Sequence, residues 1–178
     1  MSYEIDQSGK IEDTARNTVL AYSNNNKGAV IMIAKDKRKI QERFRKCGIP
    51  KLFIDYTFAA LLVLLLKPLK TVTQVTVDIE YPKHTELIGK LVNKIIPIHI
   101  IWKYIGKSSR AHDTGYKVYK GKLDLGKKVS IGEIWGVIIK TAGGYLNTGL
   151  SPANRYSAPA SNQILPKLKL KVKSYKTT

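Results

Sequence analysis

The chain has one cysteine, few acidic residues and no long apolar run, and each shortage excludes a class of protein. The single cysteine, Cys47, excludes an internal disulfide framework and is typical of a reducing compartment. The longest apolar run, residues 56–66, is well short of the roughly 20 residues that a membrane-spanning helix needs. The first residues lack the basic start and apolar segment of a signal peptide. The sequence therefore predicts a soluble, cytoplasmic protein without a membrane partner.

The shortage of acidic residues leaves a large positive charge. The 178 residues include 31 Lys and Arg against 13 Asp and Glu, a formal net charge of +18. A surplus of this size favours a polyanionic partner such as nucleic acid. Hydrophobic residues make up 43% of the chain, which is enough for a folded core, and the length allows one domain with an appendage. We therefore expect a globular body that binds nucleic acid.

The positive charge is concentrated in two segments. Residues 35–51 contain eight basic and two acidic residues, and the chain after Glu133 contains seven basic residues and no acidic one. A surface that serves only solubility usually mixes both signs, so these segments indicate contacts with phosphates. The residues predicted to bind RNA are Lys35, Lys37, Arg38, Lys39, Arg43, Arg45, Lys46, Lys107, Arg110, Arg155, Lys167, Lys169, Lys171, Lys173 and Lys176.

The last part of the chain changes abruptly in composition. Gly, Ala, Ser, Asn and Pro supply 16 of the 26 residues in 141–166, and such a segment offers little to bury in a core. Residues 167–173 alternate lysine with aliphatic residues, which would place four lysines on one face of an extended strand. The sequence therefore predicts an α/β body over residues 1–140 and an extended RNA-binding tail over residues 141–178.

Hydrophobic periodicity predicts an alternation of strands and helices in the body. The predicted strands cover 3–6, 17–23, 28–34, 74–81 and 97–105, and the predicted helices cover 36–46, 52–66, 85–94, a segment from Arg110, and 131–140. Three consecutive strands followed by strands that alternate with helices indicate a mixed sheet. Its N-terminal half would be antiparallel and its later connections would be crossover helices.

Acidic residues occupy particular places in this order of elements. An aspartate lies in the first strand (YEIDQSG), acids lie in the fourth predicted strand (VTVDIEYP), and a strand-to-helix turn follows the fifth (IGKSSRAHDTGYKVYKGK). Over roughly residues 1–122 this succession resembles the ribonuclease H-like family. The resemblance implies that acids from the first strand, first helix, fourth strand and last helix converge on two metal ions. The positions that match are Asp6, Glu42, Asp78 or Glu80, and Asp113.

Three interpretations of the function follow. The favoured one is a structural RNA-binding protein of a large ribonucleoprotein, because a small body with a long basic extension resembles ribosomal proteins. It would contact ribosomal RNA and neighbouring subunits without catalytic residues, metal, cofactor or small-molecule substrate. The alternative is a nuclease that uses two Mg²⁺ ions held by the acids above. The third is a DNA-binding module of chromatin or repair.

Ordinary structural roles also explain several of these residues. Glu42 lies in the most basic segment, where an ion pair on a helix surface accounts for it. Asp78 and Glu80 fall on the polar side of an alternating strand, as surface residues do. The helix start near Ser108, flanked by Lys107 and Arg110, is either a phosphate site or a simple serine cap.

We expect deletion of residues 141–178 to weaken RNA binding and to flatten its salt dependence. The segment carries six basic residues and no acid, and each lost contact with a single strand lowers the log–log salt slope by about 0.7. Affinities measured over a salt series for the full and shortened chains test this. An unchanged slope would mean that the tail contacts no phosphates.

Overall fold

A computed structural model of the chain describes residues 3–143. This range contains six strands, five helices and a short 3₁₀ turn at Pro50–Leu52. The strands are β1 (Tyr3–Ser8), β2 (Thr18–Ser23), β3 (Lys27–Met32), β4 (Gln74–Asp78), β5 (His99–Lys103) and β6 (Gly126–Lys128). The helices are α1 (Ala34–Lys46), α2 (Phe53–Leu66), α3 (Thr85–Asn93), α4 (Arg110–Tyr119) and α5 (Ile131–Ala142).

The strands form one mixed sheet in the order β5-β4-β1-β2-β3-β6. Strands β1, β2 and β3 are antiparallel neighbours, β4 is parallel to β1, and β5 is parallel to β4. The mixed α/β sheet with an antiparallel N-terminal half is therefore confirmed. The sequence did not predict β6, a polar strand of three residues that pairs in parallel with β3, because so short a segment has no readable periodicity.

The two faces of the sheet are covered unequally. Helices α1, α2, α3 and α5 share one large core with Ile5, Leu20 and Val30 of the sheet. Helix α4 covers the other face, where its Val118 packs against Val19, Ala21 and Ala29 in a much smaller cluster. Since neighbouring residues of a strand point to opposite faces, Ile5 points towards α2 and Asp6 points towards α4.

Helix α2 is the centre of the large core. Its sequence, FIDYTFAALLVLLL, is apolar on all sides, and such a helix is stable only where it is surrounded by other elements. It packs against α3, α5 and the strands β2 and β3. Its one acidic residue, Asp55, is buried and contacts the His84 ring, with Oδ1 2.5 Å from Nδ1. Over residues 3–143, no helix is both long and apolar enough to cross a membrane.

The last helix extends beyond its predicted end. Helix α5 continues to Ala142, inside the segment that the sequence assigned to the tail, and both Thr141 and Ala142 are buried. A truncation that preserves this helix would therefore begin after Gly143. The predicted RNA-binding residues of the tail lie outside the described residues; they are Arg155, Lys167, Lys169, Lys171, Lys173 and Lys176.

The prediction that Lys37 contacts RNA is wrong, because its side chain is fully buried. The ammonium group donates hydrogen bonds to the carbonyl oxygens of Lys10 at 2.8 Å and Asp13 at 2.9 Å. Burial lowers the pKa of Lys37 to about 8, opposed by the charges of Asp13 and Glu12. Through these two hydrogen bonds, Lys37 anchors the loop between β1 and β2 to the first turns of α1.

Replacing Lys37 by alanine should destabilise the protein by roughly 2–5 kcal/mol, since it removes a buried side chain and two hydrogen bonds. Lys39→Ala is the matched control, because Lys39 lies on the same helix and is exposed. We expect the control to change the free energy of unfolding by less than about 0.5 kcal/mol. Urea denaturation of both variants measures the difference, and equal effects would contradict an anchoring role for Lys37.

Candidate functional site

The pairing of β1 with β4 brings two acidic residues together. The strands are parallel, and their register pairs Glu4 with Thr76 and Ile5 with Val77. The next positions on the two strands are Asp6 and Asp78. Neighbouring strands lie about 4.8 Å apart, and both aspartates alternate with residues of the large core, so both side chains point to the α4 face.

A third carboxylate joins the two aspartates. Glu80 follows β4 by two residues, and its backbone N–H donates to the carbonyl oxygen of Asp78 in a turn. One carboxylate oxygen from each of Asp6, Asp78 and Glu80 lies within 4.8 Å of the others. These three residues are called the acidic group below.

Hydrogen bonds fix the two aspartates of the acidic group. The carboxylate of Asp78 accepts a bond of 2.8 Å from the backbone N–H of Ile105, just after β5. Asp6 is buried, and its Oδ2 lies 3.2 Å from Nδ1 of His112 on α4. The position of His112 follows from the start of that helix, because the Ser109 hydroxyl caps α4 by accepting from the His112 N–H at 3.0 Å.

A glycine allows α4 to approach the acidic group this closely. A Cβ atom at Gly115 would lie 3.1 Å from Oγ of Ser8 and 3.8 Å from Oδ2 of Asp6. A methyl group here would require Ser8 or α4 to shift by a few tenths of an ångström, so glycine permits the close packing of α4 on β1 beside Asp6.

Two residues of the acidic group, Glu80 and Asp6, hold protons more tightly than isolated carboxyl groups do. Burial, together with the charges of Asp6 and Asp78 and a hydrogen bond to Asp78, raises the pKa of Glu80 to about 7. Burial also raises the pKa of Asp6 to about 6; the His112 ring opposes this rise, and the charge of Asp78 adds to it. Burial is the main cause of both shifts and like charge adds to it, so a nearby cation would oppose the rise in both pKa values.

A groove opens beside the acidic group. It has a volume of about 470 Å³ and contains Glu80 and His112. Its other walls carry the basic side chains of Lys10 and Arg16, the aromatic rings of Tyr116 and Tyr119, and Asp13, which pairs with Arg16 at 3.6 Å. A polyanionic chain could therefore reach Glu80, the residue of the acidic group that lines the groove, between cationic and aromatic side chains.

Two of the acids that the family resemblance implied lie apart from the acidic group. Glu42 is exposed on α1, on the other face of the sheet. Its carboxylate pairs with the Lys46 ammonium at 2.8 Å, the ion pair on a helix surface that its position in a basic segment predicts. Asp113 is half-exposed and pairs with Lys117 at 2.8 Å. Adjacent residues of a helix point in different directions, and the cap at Ser109 turns His112, not Asp113, towards β1.

The predicted RNA-binding residues of the body, apart from the buried Lys37, lie in two places. Lys35, Arg38, Lys39, Arg43, Arg45 and Lys46 are exposed on α1, on the face of the sheet opposite the acidic group. The Arg43 guanidinium lies 5.0 Å from the centre of the Trp135 ring. Lys107 and Arg110 are exposed at the beginning of α4, on the same face as the acidic group. The α1 residues therefore form a separate basic surface.

The donor set of the acidic group suits a hard divalent cation. Mg²⁺, Mn²⁺ and Ca²⁺ prefer oxygen ligands, and two oxygens bound to one such ion lie at most roughly 4–5 Å apart. Ser8 Oγ, on the same face of β1 as Asp6, is buried without a hydrogen-bond partner among the described residues. An unpartnered buried oxygen beside clustered carboxylates indicates a site that is completed by a ligand or by ordered water.

Comparison of the chain with protein-family models, with curated protein sequences and with solved structures gives no match. The geometry of the acidic group and the groove is therefore the basis for inferring a function.

We expect the metal-free protein to lose stability as the pH rises from about 4 to about 7. The folded-state pKa values of about 6 for Asp6 and about 7 for Glu80 exceed the ordinary values of 3.8 and 4.5, so protonation favours folding below these pH values. Each unit of difference corresponds to roughly 1.4 kcal/mol. Urea denaturation in EDTA at pH 5 and pH 8 measures the loss, and Mg²⁺ should restore stability at pH 8.

Asp6→Asn and Glu80→Gln should flatten this pH dependence and abolish the effect of Mg²⁺. Asp124→Asn is the control, because Asp124 is exposed on a loop away from the acidic group. A pH profile that stays the same in the Asp6 and Glu80 variants would show that these carboxylates are not the groups responsible.

Proposed function

We propose that the body has a ribonuclease H-like fold and that the protein hydrolyses nucleic-acid phosphodiester bonds with divalent cations. The observation that carries this proposal is the meeting of Asp6, Asp78 and Glu80 at the ends of two neighbouring parallel strands. The sheet order supports the fold, because three antiparallel strands followed by parallel β4 and β5 are what the family resemblance implies.

The residues of the acidic group would hold Mg²⁺ or Mn²⁺. Divalent cations at such a site activate water for attack on phosphorus and stabilise the leaving oxygen. The chain supplies the arrangement of the ligands. The Ile105 N–H orients the Asp78 carboxylate, and His112 orients Asp6 whenever its Nδ1 carries a proton to donate. Because β1 and β4 both lie in the interior of the sheet, the strand that carries each aspartate is paired on both sides.

Charge and aromatic side chains around the groove support a nucleic-acid substrate. Lys10 places a cation near Glu80, and Arg16 places a second cation in the wall, where it pairs with Asp13 at 3.6 Å. Tyr116, which is 47% exposed, offers a ring edge or face to a base. The net charge of +18 favours a long polyanion over a small phosphorylated metabolite. RNA is the nucleic acid that we expect.

Binding without cleavage is the second candidate, in which the protein is an RNA-binding component of a ribonucleoprotein such as the ribosome. The basic surface of α1 favours it, because this surface lies on the opposite face from the acidic group and has no place in the chemistry proposed above. The acidic group also has three carboxylates among residues 3–143, where the family resemblance implies four.

The test is cleavage of labelled RNA, DNA and hybrid by the full chain with Mg²⁺, Mn²⁺ or EDTA. We expect metal-dependent cleavage that Asp6→Asn, Asp78→Asn and Glu80→Gln each abolish, because each change removes a ligand charge. Glu42→Gln and Asp113→Asn are the matched controls and should retain cleavage, since their side chains lie outside the acidic group.

Two outcomes would contradict the nuclease. Intact RNA under all metal conditions, together with tight RNA binding and sedimentation with ribosomal particles, would favour the binding-only protein. Cleavage that survives all three acidic-group variants would show that the activity belongs to another site or to a contaminant.

A further inference from the structure

We propose that a cavity at the beginning of α4 binds a backbone phosphodiester of the nucleic-acid strand whose cleavage is proposed above. The inference rests on that proposed function for the identity of the ligand. The cavity has a volume of about 350 Å³ and is lined by Glu4, Ser23, Asn24, Ser108, Ser109 and Arg110. It is separate from the groove, whose walls contain none of these residues.

The helix end provides donors for an anion. Helix α4 has 10 residues, and its Ser109 cap uses the N–H of His112. The N–H groups of the first turn that precede His112 have no partner within the helix and point towards the cavity end. The helix dipole adds partial positive charge there, and Arg110 adds a full charge on an exposed side chain.

A buried hydroxyl independently indicates a ligand in this cavity. Ser23 is 1% exposed, and its Oγ has no hydrogen-bond partner among the residues that the structure describes. On β2, Ser23 continues the row of Val19 and Ala21, which face α4, so its side chain points to the face where the cavity lies. Burying a hydroxyl without a partner is costly, and a phosphate oxygen would accept its hydrogen bond.

The charges of the walls select the kind of phosphate. Glu4 and Arg110 are the two ionisable side chains that line the cavity, and their formal charges cancel. A cavity that offers hydroxyl and N–H donors but has no net positive charge suits a singly charged phosphodiester better than a doubly charged terminal phosphate. Glu4 and Asp6 are two residues apart on β1, roughly 6.5–7 Å, so a strand in the cavity would pass beside the acidic group.

The first measurement tests the cavity without any cleavage. Isotope-labelled full-length protein in EDTA is titrated with inorganic phosphate and, separately, with a short unphosphorylated oligoribonucleotide. We expect both probes to shift the backbone amide signals of Ser109, Arg110 and Ala111, and the oligonucleotide to do so at lower concentration.

The second measurement is the oligonucleotide affinity of variants. Ser23→Ala should weaken binding by roughly tenfold, the effect of a lost hydrogen bond to a charged group. Arg110→Gln should lower the log–log salt slope by about 0.7, one phosphate contact. The controls are Thr57→Val, which removes another buried unpartnered hydroxyl on α2, and Lys83→Gln, which removes an exposed charge near α3; neither should change binding.

The outcomes separate this inference from the proposed function. Weaker binding in both variants supports the phosphodiester site even if no RNA is cleaved, in which case the nuclease fails alone. Amide shifts with inorganic phosphate but unchanged oligonucleotide affinity in both variants would overturn the strand-binding role and leave a free-phosphate site. A preference for 5′-phosphorylated oligonucleotide would overturn the assignment to a phosphodiester. Amide signals that respond to neither probe would overturn the cavity as an anion site.

Discussion

The parallel pairing of β1 with β4 is the constraint on which the site depends. The register places Asp6 beside Asp78, and the alternation of both strands sends these carboxylates to the face that the large core does not occupy. The core on the other face holds this register in place, because a slip of one residue in either strand would replace Ile5 or Val77 in the core with a polar neighbour. Packing on one side of the sheet therefore maintains mutual repulsion between carboxylates on the other side.

The cost of that repulsion explains the chemistry of the acidic group. Three carboxylates cannot all ionise cheaply where water is partly excluded, so Glu80 and Asp6 retain protons towards neutral pH when no cation is present. The same arrangement becomes favourable once a divalent cation balances the charge. His112 and the Ile105 N–H orient the carboxylates without neutralising the group. The unpartnered Ser8 oxygen, on the same face of β1 as Asp6, is a further group that a ligand could satisfy.

The sequence predicted most of the elements and named the three carboxylates of the acidic group, with Glu80 as the alternative to Asp78. The alternation in β4 and the continuous apolar sequence of α2 could be recognised because both are local patterns in the sequence. Asp6 and Asp78 could be identified as candidate site residues because each lies in a strand that the sequence predicts. His112 was missed because its role depends on the exact start of α4, and Asp113 was preferred because it is acidic. The burial of Lys37 could not be predicted from the sequence, because its hydrogen-bond partners are backbone carbonyl oxygens of a distant loop.

The unequal covering of the sheet has a consequence for local opening. The face below α4 contributes a small apolar cluster, whereas α2 alone buries eleven residues on the opposite side. Free energies of local opening follow the apolar contacts that hold each segment, so amide hydrogens of α4 should exchange with solvent well before those of α2. Brief detachment of α4 would carry His112 and the cavity at its N-terminus away from β1 together. Under the proposed function, the helix that completes the site is thus also the element whose opening would give a nucleic-acid strand access to it without unfolding the core.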